Sequence, residues 1–203
     1  MCKIVCITNR KLCPEDFLSQ IAAVAAAQPD AVVLREKDLN ERDYTDLARQ
    51  VQAVCQRTGT ALTIHTSVRT ALALGIRRIH LPLAVFRQMN REEQAFFSMI
   101  GVSCHSTEDA AEAEQRGASY ITAGHIFETD CKAGLPGRGL AFLKDVCSAV
   151  HIPVYAIGGI SVRNAGQVIS AGADGVCLMS SLMKSSHPAD DLSKLREVMN
   201  HHG

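Results

Sequence analysis

The strongest constraint in this chain of 203 residues is a beat that repeats from one end to the other. A short run rich in β-branched residues is followed by a longer stretch with apolar residues at helical spacing. The short runs are Lys3 to Ile7, Ala31 to Leu34, Ala61 to Ile64, Arg77 to Leu81, Met99 to Val102, Tyr120 to Ala123, Pro153 to Ile157 and Gly175 to Met179. Between them, Phe17, Leu18, Ile21 and Val24 share one helix face, and Tyr44, Leu47, Ala48, Val51 and Val54 share another. Gly59, Gly75 and Gly172 are placed to stop helices; Ser106 or Thr107, and Ser161, are placed to start them. Eight such beats predict parallel strands joined by helices, closed into one (β/α)8 TIM barrel that occupies residues 1–203 as a single domain. An open doubly wound sheet is the alternative architecture.

Charge narrows the partners. Lys plus Arg equals Asp plus Glu at 21 each, so no basic surface argues for nucleic acid or an acidic membrane, and a small molecule is the expected ligand. The opening stretch MCKIVCITNR lacks an apolar signal core, and no apolar run approaches a membrane span, so a cytoplasmic location is expected. The eight cysteines are scattered without a CxxC pair, which predicts small buried hydrophobes rather than disulfides or a zinc site.

In such a barrel the site lies at the C-terminal ends of the strands. Those ends carry Arg35 and Lys37, His65, Ser103 and His105, His125, Gly158-Gly159 and Ser180-Ser181. Loops after the seventh and eighth strands commonly hold phosphate through backbone N–H groups and flanking hydroxyls. Gly158, Gly159, Ser180 and Ser181 fit that pattern, although a plain turn and a plain cap would use the same residues. Arg35 and Lys37, two apart, point to one side and suit an anionic group; a structural ion pair involving Glu36 is the other reading. His80, within the fourth strand, is expected to pack. Cys104 and Cys131 are the candidate nucleophiles, but Cys104 and His105 are adjacent on a strand and face opposite ways.

After the sixth strand comes AGHIFETDCKAGLPGRG, Ala123 to Gly139, too rich in glycine and mixed polar groups for a helix interior or a strand. His125 opens it. An imidazole there can take and return a proton near neutral pH, so His125 is the expected catalytic residue.

LREKDL (Leu34 to Leu39), IHLP (Ile79 to Pro82), GVSCHS (Gly101 to Ser106), the Gly124 to Lys132 loop, AIGGI (Ala156 to Ile160) and AGADGV (Ala171 to Val176) stand in the order of the thiamine phosphate synthase and TenI superfamily, which the chain resembles over nearly its full length. The synthases of that superfamily use magnesium held by aspartates, one in an Asn-Asp pair after the third strand and one shortly after the fourth. Here His65-Thr66 replaces the pair, and no acid follows Leu81 until Glu92. The loop from Gly124 is similar to that of the thiazole tautomerase branch. The resemblance implies aromatisation of a non-aromatic carboxythiazole phosphate, with His125 as acid and base and with neither cofactor nor metal. It also implies a substrate-binding set in which Gly158, Gly159, Ser180 and Ser181 meet the phosphate, while Arg35, Lys37 or Ser103 meets the carboxylate. His65, Gly124 and Lys132 complete that set, and a homodimer is plausible by the same resemblance. A magnesium-dependent synthase and a non-catalytic ligand-binding or regulatory protein are the competing functions.

Overall fold

The computed structural model describes residues 2–14, 16–129 and 134–202. Eight parallel strands close in sequence order: β1 (Lys3–Ile7), β2 (Ala31–Leu34), β3 (Leu62–His65), β4 (Arg78–Pro82), β5 (Met99–Cys104), β6 (Tyr120–Gly124), β7 (Val154–Ile157) and β8 (Gly175–Leu178). The ring is sealed by β8 on β1, with Lys3 opposite Gly175 and Val5 opposite Cys177. The closed barrel is therefore the architecture, and the open sheet is set aside.

The helices are α1 (Phe17–Ala26), α2 (Glu41–Thr58), α3 (Val68–Ala73), α4 (Leu83–Phe86), α5 (Arg91–Phe96), α6 (Thr107–Gln115), α7 (Gly139–Ala149), α8 (Ala165–Ser170), α9 (Ser180–Met183) and α10 (Pro188–Asn200). Two of them, α4 and α9, are four-residue turns too short to leave a periodic trace in the sequence. Ser106 caps α6 by accepting from the Asp109 N–H, and Gly59 ends α2 at φ +73°. Ser161 does not cap α8. Its N–H instead donates to Asn164 Oδ1 at 2.8 Å, and Asn164 Nδ2 donates to the Gly159 carbonyl at 2.9 Å. Asn164 thus ties down the turn after β7, and the helix starts one residue beyond it.

Strand alternation divides the apolar side chains into two bodies. Ile4, Cys6, Val32, Leu34, Ile79, Leu81, Ile121 and Ala123 face outward into the large core shared with the helices. Val5, Ile7, Ala31, Val33 and Cys177 form a separate cluster inside the barrel. Buried Cys6, Cys55, Cys104 and Cys177 behave as small core residues, and burial pushes the thiols of Cys104 and Cys177 up to about 12. That removes Cys104 as a nucleophile. Cys131 lies outside the described residues. Among the described residues, no helix is long and apolar enough to cross a membrane.

Candidate active site

The inward positions of β4, β5 and β6 are polar, in contrast to the apolar filling beneath β1 and β2. His80 is buried, as expected of a packing residue, but it also bridges two strands. Its Nδ1 lies 3.1 Å from the Tyr120 hydroxyl, and its Nε2 lies 2.8 Å from Ser103 Oγ. Thr122 Oγ1 is 3.4 Å from both His80 Nε2 and Ser103 Oγ. The His65 ring stacks near that of His80, with centroids 6.0 Å apart. Burial lowers the His80 pKa to about 4. Burial, then the His80, Arg35 and Lys37 charges, lowers that of His65 to about 3. Both rings are neutral at pH 7.

At the end of β2, Glu36 is buried and spoken for. It accepts from the Thr8 hydroxyl at 2.7 Å, the Arg10 N–H at 3.0 Å and the Arg10 guanidinium at 3.1 Å. The Thr8 hydroxyl in turn accepts from the Arg35 N–H at 2.9 Å. The structural ion pair at this strand end is thus made by Arg10, with Asp38 on the same guanidinium. Arg35 is half-buried and Lys37 exposed, just beyond the end of β2. Neither Thr8 nor Arg10 was legible as a site residue, because each meets its carboxylate across 26 or more positions of sequence. Tyr44 on α2 bridges β2 and β3, donating to the Leu34 carbonyl and accepting from the His65 N–H at 3.2 Å. A cleft of about 600 Å³ opens on this side, lined by Lys37, Tyr44, His65, Thr66, Arg69 and Pro82 among others. It does not reach His125.

The β6 and β7 ends are built by close approach of backbones. Ile126 N–H donates to the Ile157 carbonyl at 2.9 Å and Phe127 N–H to the Gly158 carbonyl at 3.1 Å. From the other side, Arg138 N–H donates to the His125 carbonyl at 3.0 Å and Gly139 N–H to Ile126 at 2.9 Å. A side chain on Gly158, which has φ +100°, would press its Cβ to 2.7 Å from His125 Cα; one on Gly159 would come within 2.8 Å of Phe127 Cβ. The pair of glycines therefore admits the loop itself.

His125 is half-buried, and its Nε2 lies 3.3 Å from the Leu135 carbonyl. A carbonyl only accepts, so Nε2–H is the donor in this contact. His105 Nδ1 donates likewise to the Gly124 carbonyl at 3.2 Å. Arg138 stacks over Phe142 at 4.6 Å. Ser180 and Ser181 are exposed in the first turn of α9, on the strand next to β7. Lys132 falls outside the described residues.

Among the described residues, the strand ends that hold magnesium in the synthases offer no matching donors here. The end of β3 offers His65 and Thr66, and β4 runs into Pro82, Leu83 and Ala84, without a carboxylate at either place. The nearby acid, Glu36, is taken up by Thr8 and Arg10. Among the described residues, no group of three or more His, Cys, Asp or Glu side chains is placed to hold a metal ion.

A family model described as thiamine monophosphate synthase matches residues 4–182. The thiamine-phosphate synthase of Pyrococcus abyssi is 31% identical over 202 residues, covering 97% of this chain and 94% of the relative. That of Moorella thermoacetica is 35% identical over 189 residues, covering 90% and 88%. Among solved structures, thiamine phosphate pyrophosphorylase from Pyrococcus furiosus superposes with a TM-score of 0.83 at 27% identity, covering 98% of this chain and 96% of that one.

Proposed function

The chain belongs to the thiamine monophosphate synthase family, and we propose that it works within thiamine biosynthesis as a thiazole tautomerase, converting a non-aromatic carboxythiazole phosphate to its aromatic form. One observation carries this reading. The His125 imidazole, with Nε2 3.3 Å from the Leu135 carbonyl, stands at the end of β6 in a mouth whose β3 and β4 ends lack carboxylates.

The chemistry asks for one proton to leave a ring carbon and arrive at the exocyclic carbon. His125 Nδ1 takes it, the imidazolium retains its Nε2–H bond to the Leu135 carbonyl, and Nδ1 returns it at the second carbon. Aromatisation supplies the driving force. The turn after β7 and the first turn of α9 offer N–H and hydroxyl donors to the phosphate; Arg35 and Lys37 at the rim, or Ser103 at the floor, meet the carboxylate.

A second reading, the magnesium-dependent synthase, is favoured by the names of the relatives above. The two separate in one experiment. The protein is incubated with the non-aromatic thiazole phosphate, and the aromatic product is followed by absorbance or NMR. A parallel reaction contains the aromatic thiazole phosphate, the pyrimidine pyrophosphate and magnesium. Aromatisation without coupling is the expected result; formation of thiamine phosphate in the second vessel, with none in the first, overturns the proposal.

A further inference from the structure

We propose that Tyr120, His80 and Ser103 form a hydrogen-bond relay with a fixed direction, which turns the Ser103 hydroxyl proton toward the barrel mouth as a donor to an anionic oxygen of the ligand. The direction follows from its buried end. Tyr120 is 5% exposed, and its hydroxyl has one hydrogen to place. Among the described residues, the acceptor within its reach is His80 Nδ1, at 3.1 Å. A hydrogen left unmatched in the interior is costly, so the tyrosine donates and Nδ1 accepts.

The rest is forced by valence. The buried His80 ring is neutral and has one N–H, which must then sit on Nε2. Nε2 lies 2.8 Å from Ser103 Oγ, so Ser103 accepts. Thr122 Oγ1, 3.4 Å away, donates to the same Ser103 oxygen, so the Ser103 proton is left for another partner, and Ser103 stands half-buried near the C-terminal end of β5, where the barrel opens. The reverse direction would have Ser103 donate to Nε2 and Nδ1–H donate to the tyrosine oxygen, leaving the buried tyrosyl hydrogen without an acceptor among the described residues.

The contact is also built for. A Cβ on Gly101 would overlap the Tyr120 phenol and lie 2.5 Å from His80 Nδ1, so the histidine and tyrosine meet through a gap that glycine leaves on the strand between them. The relay contains no formal charge, and neither does the adjacent His65 ring. The floor therefore recognises an oxyanion by a hydroxyl donor, while the cations Arg35 and Lys37 stay at the rim. Identifying that oxyanion with the substrate carboxylate rests on the tautomerase reading; the relay itself does not. His80 and Tyr120 are positioning residues that act through Ser103.

The decisive measurement needs no ligand. In the free protein, side-chain nitrogen chemical shifts of His80, assigned by their loss in His80→Gln, should show Nε2 protonated and Nδ1 bare. An Nδ1-protonated ring overturns the relay. The functional readout is affinity for the aromatic carboxythiazole phosphate, the expected product. Ser103→Ala and Tyr120→Phe should each weaken it by about 3- to 10-fold, the scale of one hydrogen bond. The double variant should lose no more than Ser103→Ala alone, because both changes silence the same donor. Multiplying losses overturn the relay. If the unaltered protein fails to bind this compound at all, the tautomerase reading falls, while the nitrogen shifts still decide the relay.

Discussion

The two sides of the barrel mouth are built from opposite materials. On the β2 to β4 side, side chains do the holding: Glu36 is clasped by Thr8 and Arg10, Tyr44 bridges two strand ends, and His65 leans over His80. On the β6 and β7 side, backbones do it, with residues 125–127 hydrogen-bonded between the β7 end and residues 138–139 while glycines remove the side chains that would intervene. The first side has its buried carboxylate paired, and the cleft opens beside it. The second holds the His125 imidazole against the Leu135 carbonyl. On the proposed reading, the proton carrier sits where backbones approach closely, away from the cleft.

The largest test of that contrast is His125→Asn. It removes the proton carrier while keeping a side chain able to donate to the Leu135 carbonyl. Turnover of the thiazole phosphate should fall by about 10²–10⁴-fold, the usual worth of general acid–base catalysis, with product affinity little changed. Steady-state kinetics beside calorimetric binding of the product checks both halves. Full activity in the variant would move the chemistry to the other side of the mouth and break the comparison.

Acid should expose the β2 to β4 side next. In the folded chain the His80 pKa is depressed from 6.5 to about 4, and that of His65 from 6.5 to about 3. The unfolded chain therefore binds more protons between these values, and the contribution to stability is full above pH 6.5 and lost as the pH falls toward the folded pKa. For His80 alone the loss amounts to about 3 kcal/mol. Urea unfolding from about pH 7 down to about pH 4 measures it. The acid limb should be shallower in His80→Gln, whose amide does not titrate; an unchanged limb would mean that the His80 ring is not held neutral by burial.

How far the sequence carried these conclusions differs between the fold and the site. The strands were legible because period-two and period-3.6 patterns register burial directly, and Lys3–Ile7 and Ala31–Leu34 match residue for residue. His125 was legible because its position at a strand end fixes its place in a barrel. Less legible was anything set by contact between distant residues. Arg10 reaching Glu36 leaves no local trace, and the gap at Gly101 is visible only once His80 and Tyr120 stand on either side of it. The pair Gly158-Gly159 was seen as a place of close approach, but not as one where the Gly124 loop itself comes near. Tyr120 and Thr122 were concealed by an apolar reading of β6, although two polar inward positions on one strand were the available signal.

The smallest expected effect concerns metal. A divalent cation in a phosphoryl site needs oxygen donors in its first coordination shell, and the strand ends that provide aspartates in the synthases provide here an imidazole held neutral by burial, a threonine, a proline and a leucine. Glu36 cannot swing in as a substitute without abandoning the Thr8 hydroxyl, the Arg10 N–H and its share of the Arg10 guanidinium, which would keep only Asp38. Tautomerase turnover should therefore change by less than about twofold when the protein is dialysed against a chelator or supplied with magnesium, since no step of a proton transfer through His125 uses a Lewis acid. A strong loss on chelation that magnesium restores would show that the two sides of the mouth share the chemistry.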